Sequence, residues 1–105
     1  MIVSILMRKT RVSDRAQAEG LLASLMPRIK AVLEGERGFV SVQYLWGADE
    51  EGQIGQITSW QTLEDCHNYV RKGGAAMAAT LEEAALPTPP HPDGAWVRRT
   101  FESVS

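Results

Sequence analysis

The chain has 105 residues, of which 44% are hydrophobic and 23% charged, and its formal net charge is −2 at pH 7. This length fits one domain spanning residues 1–105, and the even charge balance lacks the basic stripe of a nucleic-acid-binding protein. Cys66 is the only cysteine, which excludes an internal disulfide and a cysteine-based metal motif. No apolar run approaches the roughly 20 residues that span a bilayer, so we expect a cytoplasmic protein without membrane or nucleic-acid partners.

Residues 2–10 form the first predicted strand, and their apolar side chains fall on both faces. A strand that is apolar on both faces is usually covered on both. Residues 12–34 follow as a predicted helix, because apolar residues recur there every three or four positions. Ser13 is its expected N-cap, and Pro27 is expected to kink or split it, because proline removes a backbone donor.

A hairpin follows this helix, which is expected to end at Gly35 or Gly38. Its strands are Phe39–Trp46 and residues 54–60, joined by a polar turn rich in acidic residues. Simple alternation assigns the apolar residues of the first hairpin strand to two faces, Phe39 and Leu45 on one, and Val40, Val42, Tyr44 and Trp46 on the other.

A second helix is predicted to begin after Thr62, with Thr62 as its N-cap and Asp65 three residues on in a variant of the capping box. Gly73 and Gly74 interrupt it, and residues 75–85 resume it. This break is either a hinge for a lid or a simple helix end and restart. The expected inner face of the helix consists of Leu63, Cys66, Tyr69 and Val70, whereas the carboxylates Glu64, Asp65, Glu82 and Glu83 are expected on helix surfaces.

Four prolines make residues 86–94 a stiff extended connector rather than a helix or a central strand. His91 lies in this connector and is expected to be solvated. Residues 95–104 form the last predicted strand, with Trp96 and Arg98 on one face and Val97 and Phe101 on the other.

The predicted order β-α-β-β-α-β is that of a ferredoxin-like α+β fold with an antiparallel sheet. In a monomer of this fold, one sheet face carries the helices and the other meets water. The first two strands are apolar on both faces, and a large open apolar face is unusual on a monomer. We therefore expect a homodimer in which a second copy covers the sheet face, with Trp46 and Trp96 either in the core or at the dimer seam.

A short motif runs from the first helix end into the second helix. It consists of Gly38 and Phe39, then the hairpin, and then Trp60, Thr62, Glu64, Asp65 and Tyr69. With this motif and layout, the chain resembles dimeric α/β barrel proteins of the antibiotic biosynthesis monooxygenase-like type. The resemblance implies a pocket between the sheet and the two helices. It also implies several activities, among them cofactor-independent oxidation of phenols or quinols and the degradation of haem.

The haem branch of this resemblance can be compared residue by residue. Haem-degrading relatives place an Asn where Met7 stands, a Trp where Tyr69 stands, and the iron-binding His where Ala79 stands. Met77 could offer a thioether, but Met normally accompanies a stronger axial ligand. We therefore expect no haem and no other cofactor.

Two catalytic candidates emerge from the second helix. Tyr69 stands where many monooxygenase-like relatives have a His, and it could donate a hydrogen bond to a substrate oxygen; core packing is the structural alternative. His67 follows Cys66, and Cys/His pairs are typical of nucleophilic catalysis, but neighbouring helix residues do not face each other, so His67 can equally be a half-exposed helix residue. The predicted walls of a pocket for a small hydrophobic molecule are Trp60, Met7, Met77 and Cys66, of which Cys66 can equally be a buried small hydrophobe.

The sequence leaves two interpretations open. The first is a cofactor-independent monooxygenase that acts on a small aromatic molecule, with the electrons supplied by the substrate. The second is a non-catalytic dimeric barrel that binds a small molecule or serves in a stress response. No HxH, HExxH or CxxC spacing occurs, so a metal enzyme is not expected.

Overall fold

The computed structural model describes residues 1–87, 89 and 97–104. The predicted connector lies largely outside these residues, as do His91 and Trp96. Within the described ranges, no helix combines the length and the apolar character that crossing a bilayer requires. The elements in chain order are β1 (Ile2–Lys9), α1 (Arg15–Glu34), β2 (Phe39–Trp46), β3 (Gln53–Trp60), α2 (Leu63–Arg71), α3 (Gly74–Ala85) and β4 (Val97–Glu102).

The four strands form one sheet in the order β2-β3-β1-β4, and every neighbouring pair is antiparallel. The helices lie on one face of this sheet, where α1 packs on α3 and on β2, and α2 packs on β1 and β3. This arrangement confirms the predicted ferredoxin-like α+β fold, with the second helix broken in two.

Helix α1 differs from its prediction at its N-cap, and at Pro27 the helix is continuous. Its N-cap is Asp14 rather than Ser13, because the Asp14 carboxylate accepts a hydrogen bond from the backbone N–H of Ala16 at 3.0 Å. The helix also runs through Pro27 without splitting. Pro27 and Ala23, whose carbonyl loses its donor, are both exposed, so that carbonyl can be hydrated instead.

The caps of the other helix ends agree with the prediction. Gly35 is the C-cap of α1. The Thr62 hydroxyl caps α2 by accepting a hydrogen bond from the backbone N–H of Asp65 at 3.1 Å. Gly73, at the break, has a φ of +91°, in the left-handed region that glycine adopts without strain.

A β-bulge in β2 overturns the predicted face assignment of that strand. Phe39 pairs with Trp60 while Ser41 pairs with Ser59, so two residues of β2 occupy the space of one on β3. The bulge places Phe39 on the same face as Val42, and both pack against the core. Simple alternation had assigned them to opposite faces.

The core lies between the helices and the inner face of the sheet. Trp60 is fully buried at its centre, with its ring edge-on to Phe39 at 5.8 Å and tilted over Tyr69 at 4.9 Å between ring centroids. The remaining buried members of this cluster come from β1 and the three helices, and they are Ile2, Leu25, Ile29, Leu33, Cys66 and Ala78.

Among the described residues, no helix covers the outer face of the sheet, which is apolar in its central rows. In β1, Val3, Ile5 and Met7 point to this face, because the inward-pointing residues alternate with them. On β4, Val97 and Phe101 lie opposite Met7 and Val3, and Phe101 is 53% exposed. A shallow apolar groove of about 160 Å³ opens here, lined by Ile5, Met7, Leu45, Trp46, Gly47, Gln53 and Gly55.

Candidate functional site

Helix α2 is rotated relative to its prediction. Its buried residues are Asp65, Cys66 and Tyr69, whereas Leu63 and Val70, expected on the inner face, are 46% and 40% exposed. The cause is Gly38, whose positive φ leaves space that the Asp65 carboxylate fills; a Cβ at position 38 would overlap that carboxylate. A carboxylate thus takes part of the inner face that an apolar pattern assigns to Leu63.

A cleft lies between α2 and β4. The cleft has a volume of about 240 Å³. It combines apolar groups from α2 with polar and cationic groups from both elements. Its lining residues are Cys66, His67, Val70, Arg71, Arg98 and Thr100.

Arg98 is held in place at the floor of this cleft. The register of β4 puts Arg98 opposite Leu6 of β1 on the inner sheet face. From there, one guanidinium nitrogen, Nη1, donates a hydrogen bond to the Ser4 hydroxyl at 2.8 Å. A guanidinium has five N–H donors, so this bond restrains the group while other donors remain to face the cleft.

The guanidinium of Arg98 influences two neighbours on α2. Burial raises the pKa of the Cys66 thiol, while Arg98 and a hydrogen bond with Ser4 oppose that rise. Burial also raises the pKa of the Tyr69 hydroxyl, again opposed by Arg98. Both groups are therefore protonated near neutral pH, and Tyr69 can serve as a hydrogen-bond donor but not as a base.

The structure brings together only some of the residues predicted for the site. Cys66 and His67 line the cleft. Trp60 and Tyr69 stack on each other in the core, with Tyr69 1% exposed. Met7 lies on the outer sheet face, so it cannot wall a pocket on the helix side within one subunit. Met77 is 59% exposed on α3 and does not line the cleft either.

A second polar cluster, not predicted from the sequence, is buried between α3 and the sheet. Glu82 was expected on a helix surface but is 1% exposed. Its Oε2 accepts a hydrogen bond from the Tyr44 hydroxyl at 2.7 Å and one from the Gln56 side-chain amide at 3.3 Å. Burial raises the pKa of Glu82, and the bond from Tyr44 and the charge of Arg8 oppose that rise.

Strand alternation carried a signal for these polar groups. Residues at alternate positions of one strand share a face, so Ser4 and Arg8 lie on the inner face with Ile2, as do Arg98 and Thr100 on β4. Polar residues at inward positions of otherwise apolar strands indicate a polar site on the covered face of a sheet.

The residues present do not fit a haem iron at the position that the resemblance implies. Ala79 carries no ligand atom, and the nearby Met77 is exposed. Haem iron is held by an axial His, Cys, Met or Tyr, so haem chemistry does not enter the proposed function.

In the described residues, a four-stranded antiparallel sheet with three helices on one face, and a cleft beside α2, defines a ferredoxin-like α+β domain. No protein-family model and no curated protein matches the chain. Solved structures do match it over nearly its whole length.

Three of these structures show the range of proteins that share the fold. SnoaB from Streptomyces nogalater, a cofactor-independent oxygenase, is 20% identical, with 99% of this chain and 94% of that chain covered and a TM-score of 0.62. A Bordetella bronchiseptica protein named after the antibiotic biosynthesis monooxygenases is 14% identical, with coverages of 99% and 97% and a TM-score of 0.68. The heme degrader MhuD from Mycobacterium tuberculosis is 23% identical, with coverages of 100% and 97% and a TM-score of 0.63.

These similarities confirm the predicted fold. The chain has the fold of an antibiotic biosynthesis monooxygenase-like domain, as the motif from Gly38 to Tyr69 indicated. All three identities are below 25%, so the comparison establishes the fold, and the activity has to be argued from the site itself.

Proposed function

We propose that the protein is a cofactor-independent monooxygenase that acts on a small hydrophobic aromatic molecule of the quinol or phenol type. The observation that carries this proposal is the cleft between α2 and β4. It sets an apolar wall, Cys66 and Val70, beside His67 and Arg98, which can exchange a proton and stabilise an anion. The presence of a cofactor-independent oxygenase among the proteins with this fold supports it.

In the proposed reaction, the substrate supplies the electrons. His67 accepts a proton from the phenol or from an activated ring CH₂, and Arg98 stabilises the resulting anion. The anion then reduces molecular oxygen. One oxygen atom replaces the two hydrogens of the ring CH₂ as a carbonyl, and the other leaves as water.

Tyr69 is 1% exposed and is not among the residues that line the cleft, so it is proposed as a positioning residue that acts on the oxyanion through Arg98 and not by direct contact. Its ring is fixed against Trp60, and its hydroxyl responds to the charge of Arg98. A phenol held protonated by its raised pKa and positioned by a packed ring is suited to donate rather than to accept a proton.

Oxygen uptake in the presence of a panel of quinols and polyphenols tests this proposal. We expect consumption above the protein-free rate with at least one compound, and a fall of about 100-fold or more in kcat for His67→Ala. Tyr69→Phe should also lower kcat, whereas Gln17→Ala, an exposed change on α1, should not. No uptake across the panel, or equal rates in all four proteins, would contradict the proposal.

A homodimer formed through the outer sheet face is part of the proposal. Val3, Ile5 and Met7 form an apolar strip there, continued by Val97 and Phe101 on β4. A second copy with the same strip is the self-complementary partner that a twofold interface requires. The resemblance to dimeric α/β barrel proteins supports an interface through this face.

A non-catalytic binding protein is the second candidate, and one observation favours it. The thiol of Cys66 and the hydroxyl of Tyr69 both have raised pKa values, so neither supplies a nucleophile or base at neutral pH. If aromatic compounds bind in the cleft but no member of the panel raises oxygen uptake, this second function replaces the first.

A further inference from the structure

The cleft between α2 and β4 has a pronounced charge pattern. Two arginines, Arg98 from β4 and Arg71 from the last turn of α2, face it together with His67 and Thr100. Among the described residues, those lining the cleft include neither Asp nor Glu. A neutral phenol would gain little from two guanidinium groups, whereas an anion would gain from both.

The two arginines are not equivalent. Arg98 is half-buried and donates a hydrogen bond to Ser4, which restrains its guanidinium. Arg71 is exposed, and solvent screens its charge more strongly. Glu82, buried on the same helix-covered side of the sheet, also interacts electrostatically with Arg98, but it does not line the cleft.

The size and walls of the cleft limit what else the ligand contains. Its 240 Å³ lie slightly below the roughly 300–1,000 Å³ of pockets for drug-sized ligands. The Cys66 thiol and the Val70 side chain give it an apolar side beside the cationic one. A ligand of one or two rings bearing a single anionic group matches both dimensions and polarity.

We propose that this cleft binds the carboxylate of a small aromatic acid, with Arg98 pairing with the carboxylate and Cys66 and Val70 contacting the ring. Arg71 adds a weaker attraction at the mouth. The planar fork of a guanidinium matches a carboxylate with two parallel hydrogen bonds. This inference rests on the proposed function, because it names the substrate class for the same site.

The test compares a matched acid and amide on the same folded protein, without oxygen. Binding of 2-naphthoate and 2-naphthamide is followed by amide chemical shifts and calorimetry at low and moderate salt. We expect the acid to bind at least tenfold more tightly than the amide, with shifts centred on Cys66, Val70 and Thr100. Equal affinities, or shifts centred elsewhere, would overturn the inference without any variant being made.

Arginine variants show which guanidinium is responsible for the preference for the acid over the amide. Arg98→Gln should remove most of the preference for the acid, Arg71→Gln should reduce it a few-fold, and Arg28→Gln, an exposed control on α1, should leave it unchanged. Arg98→Lys keeps the charge without the fork and should retain only part of the preference. If the Arg98→Gln protein is folded and prefers the acid as strongly as the Arg28→Gln protein does, Arg98 is not the group that pairs with the carboxylate.

Inorganic phosphate separates this site from a general anion site, because phosphate that displaces naphthoate at equal concentration would overturn the aromatic-acid class. The inference and the proposed function can fail separately. If the acid binds but no assay shows oxygen uptake, the inference holds and the proposed monooxygenase activity is contradicted. If oxygen uptake is equally fast with neutral quinols and with their carboxylated analogues, the monooxygenase activity holds and the preference for an aromatic acid is contradicted.

Discussion

The hydroxyl of Tyr44 donates a hydrogen bond to Oε2 of Glu82 at 2.7 Å and so joins β2 to α3. The amide of Gln56 donates to both the Tyr44 oxygen and the Glu82 carboxylate. Glu82 stands one residue after Leu81 and four before Leu86, which are partly and fully buried. The polar cluster therefore anchors the same helix whose apolar residues cover the core.

Removing the Tyr44 hydroxyl should destabilise the fold. Tyr44→Phe removes the shorter of the two hydrogen bonds that Oε2 of Glu82 accepts, and removing one partner of a buried hydrogen bond costs about 1–3 kcal/mol. We expect a lower free energy of unfolding in urea, of that size. A double-mutant cycle with Glu82→Ala, which removes the acceptor, should give a coupling energy of about 0.5–3 kcal/mol; strictly additive effects would show that the bond contributes nothing.

The raised pKa of Glu82 should make stability depend on pH in a defined direction. Because burial raises the folded-state pKa above the unfolded value of about 4.3, the folded state holds this proton more tightly. The resulting stabilisation is complete below about pH 4.3 and is lost as the pH rises through the folded-state pKa. Glu82→Gln lacks this contribution.

Urea unfolding of the wild type and of Glu82→Gln at several pH values isolates the contribution of Glu82 to stability, because the other carboxylates are the same in the two proteins. We expect the free energy of unfolding of the wild type, minus that of Glu82→Gln, to fall as the pH rises from about 4 toward neutrality. A difference that is constant with pH, or that grows, would mean that Glu82 is not held in a desolvated site.

Two glycines should respond oppositely to alanine. A Cβ at Gly74 would lie 2.7 Å from the Tyr69 ring and 2.5 Å from Oε1 of Glu36. Glu36 can move, but the ring is fixed against Trp60, so Gly74→Ala should cost about 1–3 kcal/mol. Gly20, inside α1 with nothing within 4 Å of its Cβ, should gain roughly 0.4–1 kcal/mol.

Thermal and urea unfolding of the two variants check this contrast. The same substitution on the same chain raises helix propensity in both cases, so the sign difference reports the contact with Tyr69. Stabilisation by Gly74→Ala would show that α3 can shift away from Tyr69, as a mobile lid hinged at Gly73 would allow.

Local patterns predicted much of this fold. The Thr62 cap, the Gly35 helix end and the two-sided apolar character of β1 follow from residues that are close together in sequence, where propensity and capping act. The strand order then follows from the antiparallel hairpin and the split βαβ pattern.

The sequence predictions were wrong or incomplete where the local structure depends on contacts between residues that are far apart in sequence. The carboxylate of Asp65 is buried because Gly38, 27 positions earlier by numbering, leaves room for it, and the bulge at Phe39 depends on the register with β3. The Arg98 bond to Ser4 joins residues 94 positions apart. Strand alternation indicates that Ser4 and Arg98 share the inner face, but spacing does not show that they bond or that Arg98 meets Cys66 and His67 in one cleft, so the cationic half of the cleft was not predicted.

The proposed dimer can be tested with a surface substitution that leaves the subunit core untouched. Phe101 is 53% exposed on the outer sheet face, so Phe101→Lys should not unfold the subunit but should place a charge in the apolar interface.

Leu63→Lys is the matched control, since Leu63 is 46% exposed on α2, on the helix side. Sedimentation equilibrium at micromolar concentration should give a dimer for the wild type and for Leu63→Lys, and a mass near 11.6 kDa for Phe101→Lys. A wild type of that monomer mass would contradict the dimer, and a dimeric Phe101→Lys protein would place the interface elsewhere.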